Sequence, residues 1–194
     1  MQITTFTLRV DDESYNLAIA GLKLKVGSVP ELLDEVINIE RTSKDIDHIV
    51  VLRASLIFSP LLIMKAIYNS LISFKRGRNI AKKFPVEVML YLSGRRQISE
   101  AISLFGPRDS DSRVVICVLS KNRSYAYRIL YNIIRKYGIT FNLKESIESS
   151  LKEILEAYGI SRNELISSRI SNEDLYVILL KCVLTRIAMR KILK

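Results

Sequence analysis

Histidine, cysteine and long apolar runs are scarce in this chain, and each scarcity excludes a class of protein. The 194 residues include one histidine, His48, and two cysteines, Cys117 and Cys182, which lie far apart within apolar sequence. Such a set cannot assemble the usual zinc site, a Ser-His-Asp triad or a Cys-His pair. We therefore predict no metal site and no acyl-transfer enzyme, and we expect both cysteines to be core residues of a protein in a reducing compartment.

Signals for export, membrane insertion and nucleotide binding are also missing. The first residues lack the basic start and the apolar run of a signal peptide. The longest uncharged apolar stretch, 54–64, has 11 residues and contains Pro60, whereas a membrane helix needs about 20 residues. No Gly-x-Gly-x-x-Gly or Walker loop occurs. We predict a cytoplasmic protein with no membrane segment and no cofactor. The scarcity of His and the missing nucleotide loops also argue against a small-molecule enzyme with an unfamiliar site, which is the least favoured of the hypotheses.

Positive charge, by contrast, is abundant. Lys and Arg number 30 against 20 Asp and Glu, which gives a net charge of +10. A surface of this kind attracts polyanions, of which nucleic acid is the usual one. The apolar share of 48%, with 7 Gly and 4 Pro, excludes a disordered or low-complexity chain. The length suits a single domain that spans residues 1–194.

Hydropathy patterns predict an α+β protein. Ser28, Pro30 and Glu31 are typical of a helix start, and 114–119 is a continuous apolar run, which favours a central strand covered on both faces. Strands are predicted at 5–10, 15–20, 47–54 and 114–119, and helices from Ser28, at 57–75, from Pro85 to Gly94, at 96–104, 121–137, 143–158 and 172–194. Clean βαβ repeats are absent, so we expect a small mixed or antiparallel sheet packed with several helices.

The segment 75–100 concentrates the positive charge. It holds seven basic residues and two acidic ones, half of the net charge of the chain. The basic residues form two clusters at the two ends of the predicted Pro85 helix, where free backbone amides and Arg side chains suit phosphates and stacked bases. The alternative interpretation is a solvated charged loop. The candidate RNA-binding residues are Arg76, Arg78, Asn79, Lys82, Lys83, Ser93, Gly94, Arg95, Arg96 and Gln97.

A second hypothesis is a DNA-binding regulator, because 93–97 resembles the tight junction of a helix-turn-helix unit. A DNA reader would use the helix after the junction and would need base-reading side chains on its outer face. Arg95, Arg96, Gln97 and Ser99 suit that role. Beyond them the pattern predicts core positions, namely Glu100, Ala101, Ile102 and Leu104.

Two helices carry patterns that bear on packing. In the helix at 57–75, the residues expected to face solvent are Lys65, Asn69, Ser73 and Arg76. In the last helix, 172–194, apolar residues form two stripes rather than one, so this helix is either deeply buried or contacts a partner. The stripe predicted to bind a partner consists of Val177, Leu180, Leu184, Ile187 and Ala188.

Residues 76–81 (RGRNIA) and 86–102 (VEVMLYLSGRRQISEAI) resemble the signature of the Cgi/TPRKB family, which comprises small accessory subunits of the KEOPS (EKC) complex. The resemblance continues more loosely through the strands and helices before and after these runs, and it covers most of the chain.

The resemblance implies an α+β subunit without catalytic activity that binds the PRPK/Bud-type kinase of the complex. It also implies recruitment of tRNA by its single-stranded 3′ CCA tail, for threonylcarbamoyl-adenosine (t6A) modification next to the anticodon. By position, Arg78 and Asn79 match the Arg-Asn step of the family, and Ser93, Gly94, Arg96 and Gln97 match its Ser-Gly-x-Arg-Gln turn. The matched positions coincide with the two basic clusters.

Overall fold

The computed structural model describes residues 1–167 and 173–189, which form one five-stranded sheet and eight helices. In chain order the elements are β1 (Thr4–Val10), β2 (Glu13–Leu24), α1 (Val29–Thr42), β3 (His48–Arg53), α2 (Pro60–Lys75), α3 (Phe84–Ser93), α4 (Ile98–Phe105), β4 (Arg113–Ser120), α5 (Arg123–Tyr137), β5 (Gly138–Phe141), α6 (Glu145–Tyr158), α7 (Arg162–Ser167) and α8 (Leu175–Met189).

The sheet is antiparallel throughout and carries helices on both faces. Its strand order is β1-β2-β4-β3, and β5 pairs with the second half of β2. Alternate residues of β4 point to opposite sides: Ile116 packs with α1 and α5, while Cys117 packs with α2, α3 and α8. The structure therefore confirms the α+β class and the central strand at 114–119. Both cysteines are buried, as predicted, and burial raises the pKa of the Cys117 thiol.

Several helix ends follow the sequence signals. Ser28 accepts a hydrogen bond from the Glu31 amide at 3.4 Å, and Glu31 accepts one from the Ser28 amide at 3.1 Å, so a full capping box begins α1. Gly94 and Gly159 end α3 and α6 with φ of 64° and 62°, a conformation that glycine adopts without steric cost. Gly138 also ends a helix, α5, but in an extended conformation that begins β5.

Helix α2 differs from its prediction in the face that it buries. Asn69 and Ser73 were expected in solvent, yet they are 1% and 4% exposed, because α3 and α8 pack on α2. The Ser73 hydroxyl lies 2.8 Å from the Tyr91 hydroxyl of α3. The helix also begins at Pro60 rather than Ile57, with the Ser59 hydroxyl as its N-cap.

Among the described residues, no helix is long and apolar enough to cross a membrane. The same part of the chain contains no cluster of His, Cys, Asp or Glu side chains that could hold a metal ion.

His48 makes the stability of the fold depend on pH. Its ring stacks on Phe84 with 4.0 Å between centroids, and burial lowers its pKa from 6.5 to about 4. The unfolded chain therefore binds a proton that the folded chain does not, and stability falls as the pH drops from 6.5 to 4. We expect a loss of about 2 kcal/mol, since the ring is only partly buried.

The matched control for this prediction is His48→Phe, which keeps the stack on Phe84 but cannot take up a proton. Denaturant unfolding at pH 7, 5.5 and 4 should show the loss in the wild type and a smaller one in the variant. Equal pH profiles for the two proteins would refute the role of His48.

Candidate functional site

The first cationic cluster lies in the loop 76–83, between α2 and α3. Gly77 turns the chain with φ of 59°, and the Arg78 amide donates to the Ser73 carbonyl at 2.8 Å, which closes the end of α2. The side chains of Arg76, Arg78, Lys82 and Lys83 are exposed. The loop therefore displays four cations on a backbone that is tied to the helix before it.

Glu87, which sequence reasoning missed, anchors this loop from inside. Its side chain is fully buried, and one carboxylate oxygen accepts the amides of Ile80 and Ala81 at 2.9 Å each. Asn79, a predicted RNA contact, is half-buried, and its side-chain amide donates to the Ala81 carbonyl at 3.0 Å. Asn79 thus helps to hold the loop. The sequence did contain a sign of this role of Glu87, since it is the one acidic residue within the apolar run of α3.

The second cationic cluster is the turn 93–97, between α3 and α4. Gly94, Arg95, Arg96 and Gln97 are exposed, and Arg95 forms an exposed ion pair with Glu100 at 3.8 Å, a kind of pair that contributes little. The prediction for Ser93 is corrected. Its side chain is buried, and its hydroxyl donates to the Leu90 carbonyl and accepts the Arg95 amide, both at 3.1 Å. Ser93 therefore shapes the turn.

The two clusters lie at opposite ends of α3, which is itself mostly buried. Its 10 residues separate them by about 15 Å along the helix axis. Lys75, which belongs to the same charged segment, pairs with Asp11 and Glu13 of the β1–β2 hairpin at 3.5 Å each. Its charge is compensated there, so the cationic surface begins at Arg76.

An apolar groove borders the first cluster. It has a volume of about 710 Å³ and runs between α1, β3, α3 and α4, with Lys82 and Lys83 at its edge. Ile37 of α1 and Ile102 of α4 are 46% and 44% exposed beside it. Cations and an apolar surface therefore lie next to each other at this end of α3.

A cleft joins the second cluster to α8. It has a volume of about 370 Å³ and is lined by the Gly94 turn, the end of α6 and the residues Arg186 and Met189 of α8. The Arg186 guanidinium donates to the Tyr158 carbonyl at 3.3 Å and pairs with Glu164 at 2.8 Å. The end of α8 is thereby fixed beside the exposed cationic turn.

Helix α8 exposes only part of the stripe that was predicted to bind a partner. Ala188 is exposed, and Val177, Leu180 and Leu184 are half-buried. The prediction for Ile187 is corrected, because this side chain is fully buried in the core. The two ends of the predicted helix, 172 and 190–194, lie outside the described residues.

Helix α4 has a surface that does not suit the DNA-binding hypothesis. Its eight residues include no Lys or Arg, and Ile98, Glu100 and Ile102 are exposed. Glu100 and Ile102 were expected in the core, but this short helix packs only through Ala101 and Phe105, with Leu104 half-buried. A major-groove reader needs polar and basic side chains on that face.

The exposed cationic turn 93–97 and the partly exposed apolar helix α8 thus lie side by side in this fold. The family model described as kinase binding protein CGI-121 matches residues 25–191. The chain belongs to this family of kinase-binding proteins, which confirms the resemblance seen in residues 76–81 and 86–102. No curated protein has significant sequence similarity to the chain.

Proposed function

We propose that this chain is a non-catalytic subunit of a cytoplasmic KEOPS complex, folded as one domain over residues 1–194. In this role it binds the PRPK/Bud-type kinase through α8 and recruits tRNA through the 3′ CCA tail for t6A modification. Membership of the kinase-binding family supports the first part. The two exposed cationic clusters support the second part.

The contiguity of the Gly94 turn and α8 is the observation that carries the proposal. A β-carbon built on Gly94 would lie 3.9 Å from the Arg186 carbonyl oxygen, so the turn and the helix share one cleft. A kinase on the outer face of α8 would then lie beside the RNA end held by the turn. This adjacency supports recruitment of one partner to the other.

Phosphate binding and base stacking would hold the RNA. Arg95, Arg96 and the lysines at 82 and 83 offer donors to phosphate oxygens, and each stacked base contributes about 1–3 kcal/mol. The groove beside Lys82 provides an apolar surface for a base. Affinity should fall with salt, with a log–log slope of roughly 0.7 for each neutralised phosphate.

The test is a comparison of tRNA with and without its CCA tail by fluorescence anisotropy at fixed salt. We expect Arg96→Glu to weaken binding of intact tRNA at least about tenfold, since one phosphate contact becomes a repulsion. The same change should have little effect on tRNA that lacks the tail. The protein should stay folded, because Arg96 is exposed.

The control is Lys152→Glu, which reverses a charge on α6 at a side chain that is 91% exposed. Its effect should be small with both RNAs. Equal binding of the two tRNAs by the wild type, or equal losses in Arg96→Glu and Lys152→Glu, would refute recruitment through the tail.

A further inference from the structure

Helix α5 has an outer face that combines positive charge with aromatic rings. Its 15 residues include three Arg and one Lys, all exposed, and no acid. The opposite face is apolar and packs on the sheet through residues such as Leu130 and Ile134. This outer face lies on the other side of the sheet from α3 and α8.

Two tyrosines form the centre of this face. Tyr127 and Tyr131 are one helical turn apart, and their rings are stacked, with 6.4 Å between centroids and 20° between planes. Tyr127 is 45% exposed, although a ring of this size usually buries more of its surface. Stacked rings that are open to solvent on one side offer flat faces to bases of single-stranded nucleic acid.

Two of the three arginines of α5, Arg128 and Arg135, contact rings rather than carboxylates, whereas Arg123 donates to the Thr5 hydroxyl at 3.5 Å. The Arg128 guanidinium lies 4.8 Å from the centroid of Tyr125, and that of Arg135 lies 5.9 Å from Tyr131. Within residues 1–167 and 173–189, neither arginine forms an ion pair, whereas Lys136 pairs with Glu35 of α1. Arg128 and Arg135 therefore keep uncompensated charge and donors beside the stacked rings.

We infer that the outer face of α5 is a second RNA-binding surface, on which bases of a single-stranded segment stack on Tyr127 and Tyr131. The phosphates of that segment bind Arg128 and Arg135. Charge complementarity selects the ligand: two arginines without ion pairs beside stacked rings, on a helix that contains no acid, match a strand that alternates phosphates and bases.

The test distinguishes the contribution of base stacking to RNA affinity from the contributions of charge and of side-chain packing. Anisotropy of the full chain with a labelled single-stranded oligouridylate is measured for Y127L/Y131L, which keeps apolar bulk, and for Y127F/Y131F, which keeps the rings. We expect at least about tenfold weaker binding for the Leu pair with an unchanged salt slope, and near wild-type binding for the Phe pair. Equal affinities of the Leu and Phe pairs would overturn the proposal.

The variant R128E/R135E tests the proposed phosphate contacts. It should lower both the affinity for the oligouridylate and the log–log salt slope, the latter by about 1.4. R9E/K152E is the matched control, because it makes the same change in net charge at exposed residues of β1 and α6. Equal losses in both variants would mean a general polyanion effect and would overturn a site on α5. Binding to phosphatidylserine vesicles but not to the oligouridylate would overturn it in favour of a membrane surface.

RNA binding by α5 does not rest on recruitment of the CCA tail, and the two proposals can fail separately. R128E/R135E should weaken tRNA binding equally with and without the tail, whereas the effect of Arg96→Glu depends on the tail. Loss in only one of the two variants would support one surface and reject the other.

Discussion

Replacing Ala188 by arginine should abolish co-purification with the kinase while the chain stays folded. Ala188 is exposed at the outer edge of α8, on the same stripe as the half-buried Val177 and Leu184. A long cation placed within an apolar contact loses its hydration and separates the two surfaces. We expect affinity to fall at least about 100-fold, close to 2.8 kcal/mol.

The same substitution at the neighbouring residue, Ile187, should have a different effect from that at Ala188. Ile187 is fully buried, so Ile187→Arg should unfold the protein rather than affect docking alone. Ser149→Arg, an exposed change on α6, controls for the added charge and should leave docking unaltered. Circular dichroism and pull-down of the PRPK/Bud-type kinase distinguish these outcomes. Normal pull-down by a folded Ala188→Arg variant would exclude this face of α8 as the docking site.

Replacing Glu87 by alanine should cost about 3 kcal/mol of unfolding free energy. The change leaves the amides of Ile80 and Ala81 without their acceptor and creates a cavity beside α3, and each lost bond to a buried charged group costs about 1.5–3 kcal/mol. With a total stability of about 5–15 kcal/mol for a domain, this is a large fraction. Denaturant unfolding measures the loss.

Glu87→Gln is the matched variant, because it keeps the volume and one acceptor oxygen. It should lose only about 1 kcal/mol, since the bonds become neutral. Limited proteolysis should cut the loop 76–83 faster in Glu87→Ala than in Glu87→Gln. An alanine variant as stable as the wild type, with an uncut loop, would show that the carboxylate does not hold this loop.

Local chemistry explains which elements could be predicted. Ser28 and Glu31 specify the start of α1 by hydrogen bonds between neighbours in sequence, and Gly94 ends α3 through its own backbone freedom. Strand β5, in contrast, has four residues and no strand pattern, and it forms because β2 offers a free edge. A strand as short as β5, which forms only by pairing with a distant segment, shows no alternation of apolar and polar residues in its own sequence.

The same division applies to the candidate site. The positive charge of 75–100 and the two clusters at the ends of α3 are visible in the sequence, because a run of Lys and Arg cannot be buried without partners. The roles of Ser93 and Glu87 are not visible, because both depend on which backbone amides come within reach once α3 is packed. The pairing of Lys75 with the β1–β2 hairpin is hidden for the same reason.

The α+β class, most helix ends, the excess of positive charge and the family all follow from the amino-acid sequence alone. Each of these depends on composition or on residues close together in the chain. Long-range packing, in contrast, makes Ile187 core and Ala188 surface, buries Asn69, and brings the Gly94 turn next to α8. Burial and adjacency depend on which distant segments pack together, and a helical pattern alone does not state what covers each side of the helix.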